Sequence, residues 1–332
     1  MQTLVNFIII FNLIVFFHEM GHFIMARKHG VTVHEFALGM GPVLFSKTKG
    51  MTQYSLRALP LGGFCKMEGE DESSGIQGSF SEKTAWQRFS IIIAGPMMNF
   101  LLALLLFIGL NSFTGIPSLQ ISEVLEGSPA NLAGIEVGDR IVEIDGVEIL
   151  NWEEMVIKVR ESTGEIAVKV KKGNNEIQSY VINPQIREGN RIIGVIQGRE
   201  KNFPAAIKYS LKQMGLIFGS FFTFFSQLFK GSVSSADVAG PLGLVKLVDD
   251  VTKAGFVTVV FFTAFFSMNL GVMNLLPIPA LDGGRLLFIL IELIRGKPLD
   301  PDKEGFVHMV GFVFLMLLML FVTFLDIKKW IG

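Results

Sequence analysis

The chain has 332 residues, half of them hydrophobic, a formal net charge of -1 and a mean hydropathy of +0.49. Only 18% of its residues are charged, against about 25% in soluble globular proteins, and the apolar excess is gathered in long blocks, which argues for an integral membrane protein rather than a soluble one. The near-neutral balance gives no sign of a nucleic-acid partner, and a lone cysteine, Cys65, excludes an intrachain disulfide framework and is a poor zinc-site signal by itself.

The first apolar block, about Thr3 to Ala26, is long enough to span a hydrocarbon core of ~30 Å. It does not read as a secretory signal: its first cation is Arg27 and no small-residue cleavage site follows. Its end carries "HEMGH", His18 to His22. Histidines at i and i+4 lie on one helix face, close enough to share one Zn²⁺, with Glu19 set beside the metal as general base for its water. Two interfacial histidines and a glutamate sharing a helix end would be the plain alternative. Each ionisable group at membrane depth costs roughly 2.5–3.5 kcal/mol on insertion scales, which favours the functional reading. The helix from Gln2 to Phe17 has crossed ~24 Å when it reaches His18, so the site is expected inside the bilayer near its cytoplasmic side.

Basic residues set the expected orientation. The segment after span one holds Arg27, Lys28, Lys47, Lys49, Arg57, Lys66, Lys83 and Arg88 and is expected in the cytoplasm. Span two covers about Phe89 to Phe113. The chain beyond it is then extracytoplasmic, and from Ile116 to Gln197 it alternates in short runs such as "IVEIDGVEI" and "IAVKVKKG", a strand pattern broken by Gly and Asn. The run "GSPANLAGIEVGDRIVEIDGVEI", Gly127 to Ile149, resembles a PDZ domain of the bacterial protease type. That likeness implies a site that takes an extended peptide as an added strand, with Ile193, Gly194 and Val195 as its peptide-binding loop. A small β domain without a peptide ligand is the other reading.

"MGLIFGSFFTFFSQLF", Met214 to Phe229, is apolar enough to cross, but a crossing there would put Asp282 on the side opposite to His18. Phe203 to Phe229 is therefore expected as an interfacial helix on the outer leaflet. Span three starts near Gly255 and runs through "NLLPIPALDGG". Asp282 is the only acid from Phe256 to Ile291. A catalytic zinc takes three protein ligands and leaves a fourth position open. Asp282 is the candidate for the third, although Asp-Gly is also a turn pair; the two roles are compatible. Span four is about Phe306 to Leu325. Arg285, Arg295, Lys297 and Lys303 place the preceding segment in the cytoplasm, and Lys328 and Lys329 then fall outside, against the rule.

Together, the HEMGH motif, the PDZ-like insert and Asn274-x-x-Pro277 followed by Leu281-Asp282-Gly283 resemble the site-2 protease family, and the single PDZ and four spans its bacterial RseP-type branch. The resemblance covers essentially the whole chain. It implies a polytopic α-helical membrane protein of four transmembrane helices, with a membrane-associated β region and an inserted extracytoplasmic PDZ domain of α+β type. It implies one Zn²⁺ per chain held by His18, His22 and Asp282, Glu19 as base, and Asn274 and Pro277 as substrate-binding residues. It also implies a multi-pass protein of the bacterial inner or plasma membrane that hydrolyses peptide bonds within single-span membrane proteins, such as anti-sigma factors or remnant signal peptides. A peptide or trimmed ectodomain would engage the PDZ domain, which would gate access.

The expected divisions are 1–113 and 254–332 as membrane halves of the catalytic part, 116–197 as the PDZ domain and 203–253 as an interfacial linker. "FALGMGPVLF" to "LGGFCKMEGE", Phe36 to Glu70, resembles the family's membrane-reentrant β region, whose strand edge could pair with an extending substrate. "AGPMMN", Ala94 to Asn99, resembles its GPxxN element, which reads equally as a proline kink packed through Gly95. "VAGPLGL", Val238 to Leu244, resembles a segment before span three without an assigned role. Two rivals come from other classes. A non-catalytic PDZ-bearing scaffold would be expected to lose part of the motif set. A zinc transporter would need more ligands along a path, and His29, His34 and His308 are not spaced to form one.

Overall fold

The computed structural model describes residues 2–70, 76–187, 189–230, 240–297 and 301–331. These form two compact units, one of residues 1–107 and 211–332 and one of residues 108–210; part of the VAGPLGL segment, Val238 and Ala239, lies outside the described residues.

In the first unit, α1 (Gln2–Lys28) ends on Arg27 and Lys28, cations that suit the negative end of the helix dipole. The antiparallel hairpin of β1 (Val33–Lys49) and β2 (Thr52–Met67) follows. Helix α2 (Ala85–Thr114) starts at a reciprocal capping box: Thr84 N–H donates to Gln87 Oε1 at 3.0 Å, and Gln87 N–H to Thr84 Oγ1 at 3.3 Å. Where α1 crosses α2, a Cβ on Gly21 would stand 2.2 Å from the Ala94 carbonyl oxygen. Only glycine allows this backbone approach, as small residues commonly do between membrane helices.

The second unit is built on a sheet of order β10-β3-β4-β6-β7, with β5 paired to β4. Its strands are β3 (Ile116–Val124), β4 (Arg140–Ile144), β5 (Val147–Glu148), β6 (Ile166–Lys171), β7 (Ile177–Ile182) and β10 (Val195–Glu200), with a separate hairpin of β8 (Gln185–Arg187) and β9 (Asn190–Ile192). Asp145 and Gly146, at φ of 49° and 79°, make the tight β4–β5 turn that "IDGVE" encodes. Ser128 caps α3 (Pro129–Ala133) and Asn151 caps α4 (Trp152–Glu161). Ile121, Ile141, Ile144, Ile166, Val168 and Val170 fill the core, being the inward positions of alternating strands.

The first unit resumes within α5 (Phe203–Phe229), followed by α6 (Pro241–Lys253), α7 (Phe256–Asn274), α8 (Asp282–Arg295) and α9 (Pro301–Ile331). Among the described residues four helices are long and apolar enough to cross a membrane: α1, α2, α7 and residues 303–328 of α9. Helix α5 is not one of them. The structure differs from the sequence reading at span three. The apolar tract continues to Gly284, but its helix stops at Asn274, and Asp282 opens a new helix instead of closing the old one. Pro277 and Pro279 cause the break: each lacks an N–H for the helix ladder and forces the preceding residue toward extended backbone. Buried Asp326 of α9 accepts from the backbone N–H of Gly243 at 3.0 Å and of Gly240 at 3.3 Å, so the last helix caps the start of α6.

In the second unit, buried Asp139 meets the Lys172 ammonium at 2.9 Å, and this contact holds the Lys172 ammonium well above the ordinary lysine range. The contribution to stability is therefore complete below the ordinary lysine pKa of about 10.4 and fades only at more alkaline pH. Replacing Lys172 with Met leaves a buried acceptor short of a partner, at a cost of roughly 1–3 kcal/mol. Hydrogen exchange on the full chain should show faster opening of β6 and β7 in Lys172→Met, with α1 and α2 unchanged.

Candidate metal centre

His18 and His22 stand one turn apart on α1 and are both buried. Asp282 reaches them from the first turn of α8, more than two hundred residues away in the chain. His18 Nε2 lies 3.3 Å from His22 Nε2, and Asp282 Oδ2 lies 3.2 Å from the first and 3.4 Å from the second. Zinc ligands ~2.0–2.2 Å from one centre in tetrahedral directions stand ~3.3–3.6 Å apart, so the donor set fits a zinc ion. It is the one group among the described residues whose His, Cys, Asp or Glu donor atoms converge in this way. Asp282 Oδ2 is buried and takes no hydrogen bond of good geometry, which leaves its lone pairs for a cation.

Local structure fixes each donor. The Leu275–Leu281 turn carries Asp282 into place, with Ala280 at a φ of 76°, a left-handed conformation uncommon for alanine. Helix α9 holds this turn from outside: the Ala280 N–H donates to His308 Nδ1 at 2.9 Å. Gly311, one turn further on, approaches so closely that a Cβ would stand 2.6 Å from the Pro279 carbonyl oxygen. Helix α2 backs the histidines. His22 Nδ1–H donates to the Ile91 carbonyl at 2.9 Å, which turns Nε2 toward Asp282 as the nitrogen that could bind a metal. Gly95 faces both rings; a Cβ there would lie 2.2 Å from His22 Nε2 and 2.9 Å from His18 Cε1.

A cavity of 440 Å³ opens onto the centre, lined among others by Glu19, Cys65, Asn274 and Arg285. Glu19 is half-buried and its Cγ approaches Gly63 of β2, so the hairpin forms the wall across from His18, His22 and Asp282. Arg285 of α8 is paired with Glu70, just beyond β2, which ties the hairpin to the helix that begins with Asp282. Of the other residues singled out from the sequence, Asn274 lines this cavity, whereas Pro277 is exposed in the turn and is not among the lining residues. In the second unit Ile193 is buried in the core, Gly194 has a φ of 80°, and Val195 begins β10 at the sheet's edge. The Ile193 and Gly194 carbonyls accept from the Ala130 and Leu125 N–H groups, both at 2.9 Å.

Sequence reasoning took Gly95 only as a helix-packing position and missed the contacts that Ile91, Arg285 and His308 make at the centre. The glycine and proline of AGPMMN in an otherwise apolar helix were the available signal for the α2 contacts. The His308 contact left no local signature, because its partner is a backbone amide.

The model of Peptidase family M50 matches residues 6–318. A protein of Clostridium acetobutylicum, provisionally named a zinc metalloprotease, is 38% identical, with 96% of each chain covered. Zinc metalloprotease RasP of Bacillus licheniformis and regulator of sigma-W protease RasP of Bacillus subtilis are each 33% identical, with 99% of each chain covered. Among solved structures, the PDZ domain of the SdrC-like protein of Listeria innocua is 26% identical. It covers 25% of this chain and 96% of its own, with a TM-score of 0.23.

Gly95→Ala puts a methyl group against His22 Nε2 and must displace a histidine ring of the candidate centre. Elemental analysis of the purified variant should show zinc reduced ~10–100-fold at a limiting metal concentration, the range seen when groups supporting a ligand are lost.

Proposed function

The chain belongs to peptidase family M50, and from that premise we propose that His18, His22 and Asp282 hold its zinc ion, with Glu19 as the general base. The protein is an intramembrane zinc metalloprotease of the multi-pass bacterial membrane type. The observation that carries the residue roles is the convergence of three donor atoms from α1 and α8 at 3.2–3.4 Å from one another.

When bound, the zinc ion polarises the scissile carbonyl and lowers the pKa of water. Glu19, next in sequence to a ligand and lining the cavity, takes a proton from the attacking water and passes it to the leaving amine. Its half-buried setting against β2 limits bulk water at the reacting bond. Asn274, the last residue of α7, offers a side-chain amide to a substrate backbone. That backbone must be unwound, because a helical peptide bond is already hydrogen-bonded and shielded. Substrate helices weakened by Gly or Pro are therefore preferred.

The same reading assigns sides and partners. Residues 27–88 and the segment around α8 face the cytoplasm, the N-terminus and the second unit lie outside, and α5 rests on the outer leaflet. Residues 1–113 and 254–332 form the catalytic part, 116–197 a PDZ domain and 203–253 the linker. The Bacillus subtilis relative is named for sigma-W regulation. For this chain the substrates are single-span membrane proteins, anti-sigma factors or remnant signal peptides among them. The PDZ domain admits those whose ectodomain has been trimmed, or binds the peptide that trimming exposes.

The test is cleavage of a single-span substrate in proteoliposomes. Glu19→Gln should retain zinc and lose ~10²–10⁴-fold in rate, the usual worth of general base catalysis; full cleavage by this variant would remove the base assignment. His22→Ala and Asp282→Ala should lose zinc as well as activity, and unchanged zinc content in both would overturn the ligand set.

A further inference from the structure

Asn99 is completely buried in α2, among apolar residues at membrane depth. A side-chain amide there is costly unless it is partnered. Its amide group stands 3.3 Å from His18 Nδ1. Which end of an amide faces a neighbour is decided by the hydrogen bond each end can make. His18 turns Nε2 toward His22 and Asp282, so in a ligating imidazole the proton sits on Nδ1 and requires an acceptor. Asn99 Oδ1 is the acceptor available. The structure places the amide nitrogen 3.3 Å from Nδ1 and leaves Oδ1 buried without a hydrogen-bond partner; turning the amide over brings Oδ1 to the Nδ1 proton.

The rest of α2 supports this placement. Ile91, Gly95 and Asn99 recur every four residues and share one helix face. His22 meets Ile91 and His18 meets Asn99, as two helices running antiparallel require, and Gly95 between them leaves room for both rings. The backbone at Asn99 is held independently of its side chain, because Ser267 Oγ of α7 donates to the Asn99 carbonyl at 2.9 Å.

We infer that Asn99 is the positioning residue for the first metal ligand: its Oδ1 accepts the His18 Nδ1–H, fixes the tautomer and aims Nε2 at the zinc. The Ile91 carbonyl does the same for His22, so one face of α2 sets the tautomers of both histidines. This rests on the proposed ligand set of His18, His22 and Asp282.

The test is zinc affinity of the full chain in detergent, measured by competition with a chromophoric chelator. Asn99→Leu, close in size but unable to accept, should weaken zinc ~10–100-fold, while the melting temperature of the metal-free protein is kept. Asn99→Asp keeps an acceptor and should bind zinc close to wild type. Wild-type affinity in Asn99→Leu overturns the inference, and so does equal loss in both variants, which would mean that shape rather than the acceptor matters. Should Asn99→Leu fail to fold, ¹⁵N spectra of histidine-labelled wild-type protein with zinc decide. They are expected to show His18 protonated and hydrogen-bonded at Nδ1, and coordination through Nδ1 would contradict the inference. His18→Ala separates the two layers: retention of zinc there removes the ligand set itself, whereas loss there with wild-type affinity in Asn99→Leu removes only the role of Asn99.

Discussion

The structure of the membrane unit depends on one constraint: imidazoles and a carboxylate inside an apolar bundle must satisfy one another. Isolated ionisable groups at that depth are disfavoured by several kcal/mol. His18, His22 and Asp282 are therefore brought to within 3.4 Å of each other, and the surrounding elements are shaped to allow it. Helix α2 gives up side-chain volume at Gly95 and supplies the Ile91 carbonyl and the Asn99 amide. The third span breaks at two prolines so that a fresh helix can begin at Asp282. The fourth closes on that break with His308 and Gly311. The hairpin after α1 supplies the remaining wall, through Gly63 beside Glu19 and Glu70 paired with Arg285.

Much of this was legible in the sequence because helical spacing and hydropathy are local signals. The four spans were visible as apolar blocks, and the helices found long enough to cross coincide with them. The i, i+4 pair of His18 and His22 follows from 3.6 residues per turn. Asp282 was found by elimination, as the only acid in its tract. The strand pattern of the second unit, broken by Gly and Asn, was equally plain. What could not be read was the point at which span three stops. Hydropathy runs on to Gly284 while the backbone turns at Leu275, because prolines act on hydrogen bonds and not on polarity. The contacts of α2 and α9 with the centre were also hidden. Apart from the Asn99 amide, they rest on the Ile91 carbonyl, the Ala280 amide and the absence of a Cβ at Gly95 and Gly311, none of which has a side-chain signature.

The two units solve different problems with the same rule that buried polar groups need partners. The sheet unit pairs its backbone in strands around an aliphatic core and pairs the buried carboxylate of Asp139 with Lys172. The membrane unit has little polarity to spare, and its buried polar groups are each spent on a particular contact. Asp326 caps α6, Ser267 holds the α2 backbone, and Asn99 faces His18. Polar residues in such spans are therefore better guides to the site than the apolar residues that make up most of its wall.

X-ray absorption at the zinc edge of the loaded wild-type protein tests the central claim most directly. The account predicts a first shell of nitrogen and oxygen only, at ~2.0–2.2 Å, with the multiple-scattering pattern of two imidazoles. A sulfur neighbour at ~2.3 Å, which would bring in Cys65, or the pattern of a single imidazole would contradict it.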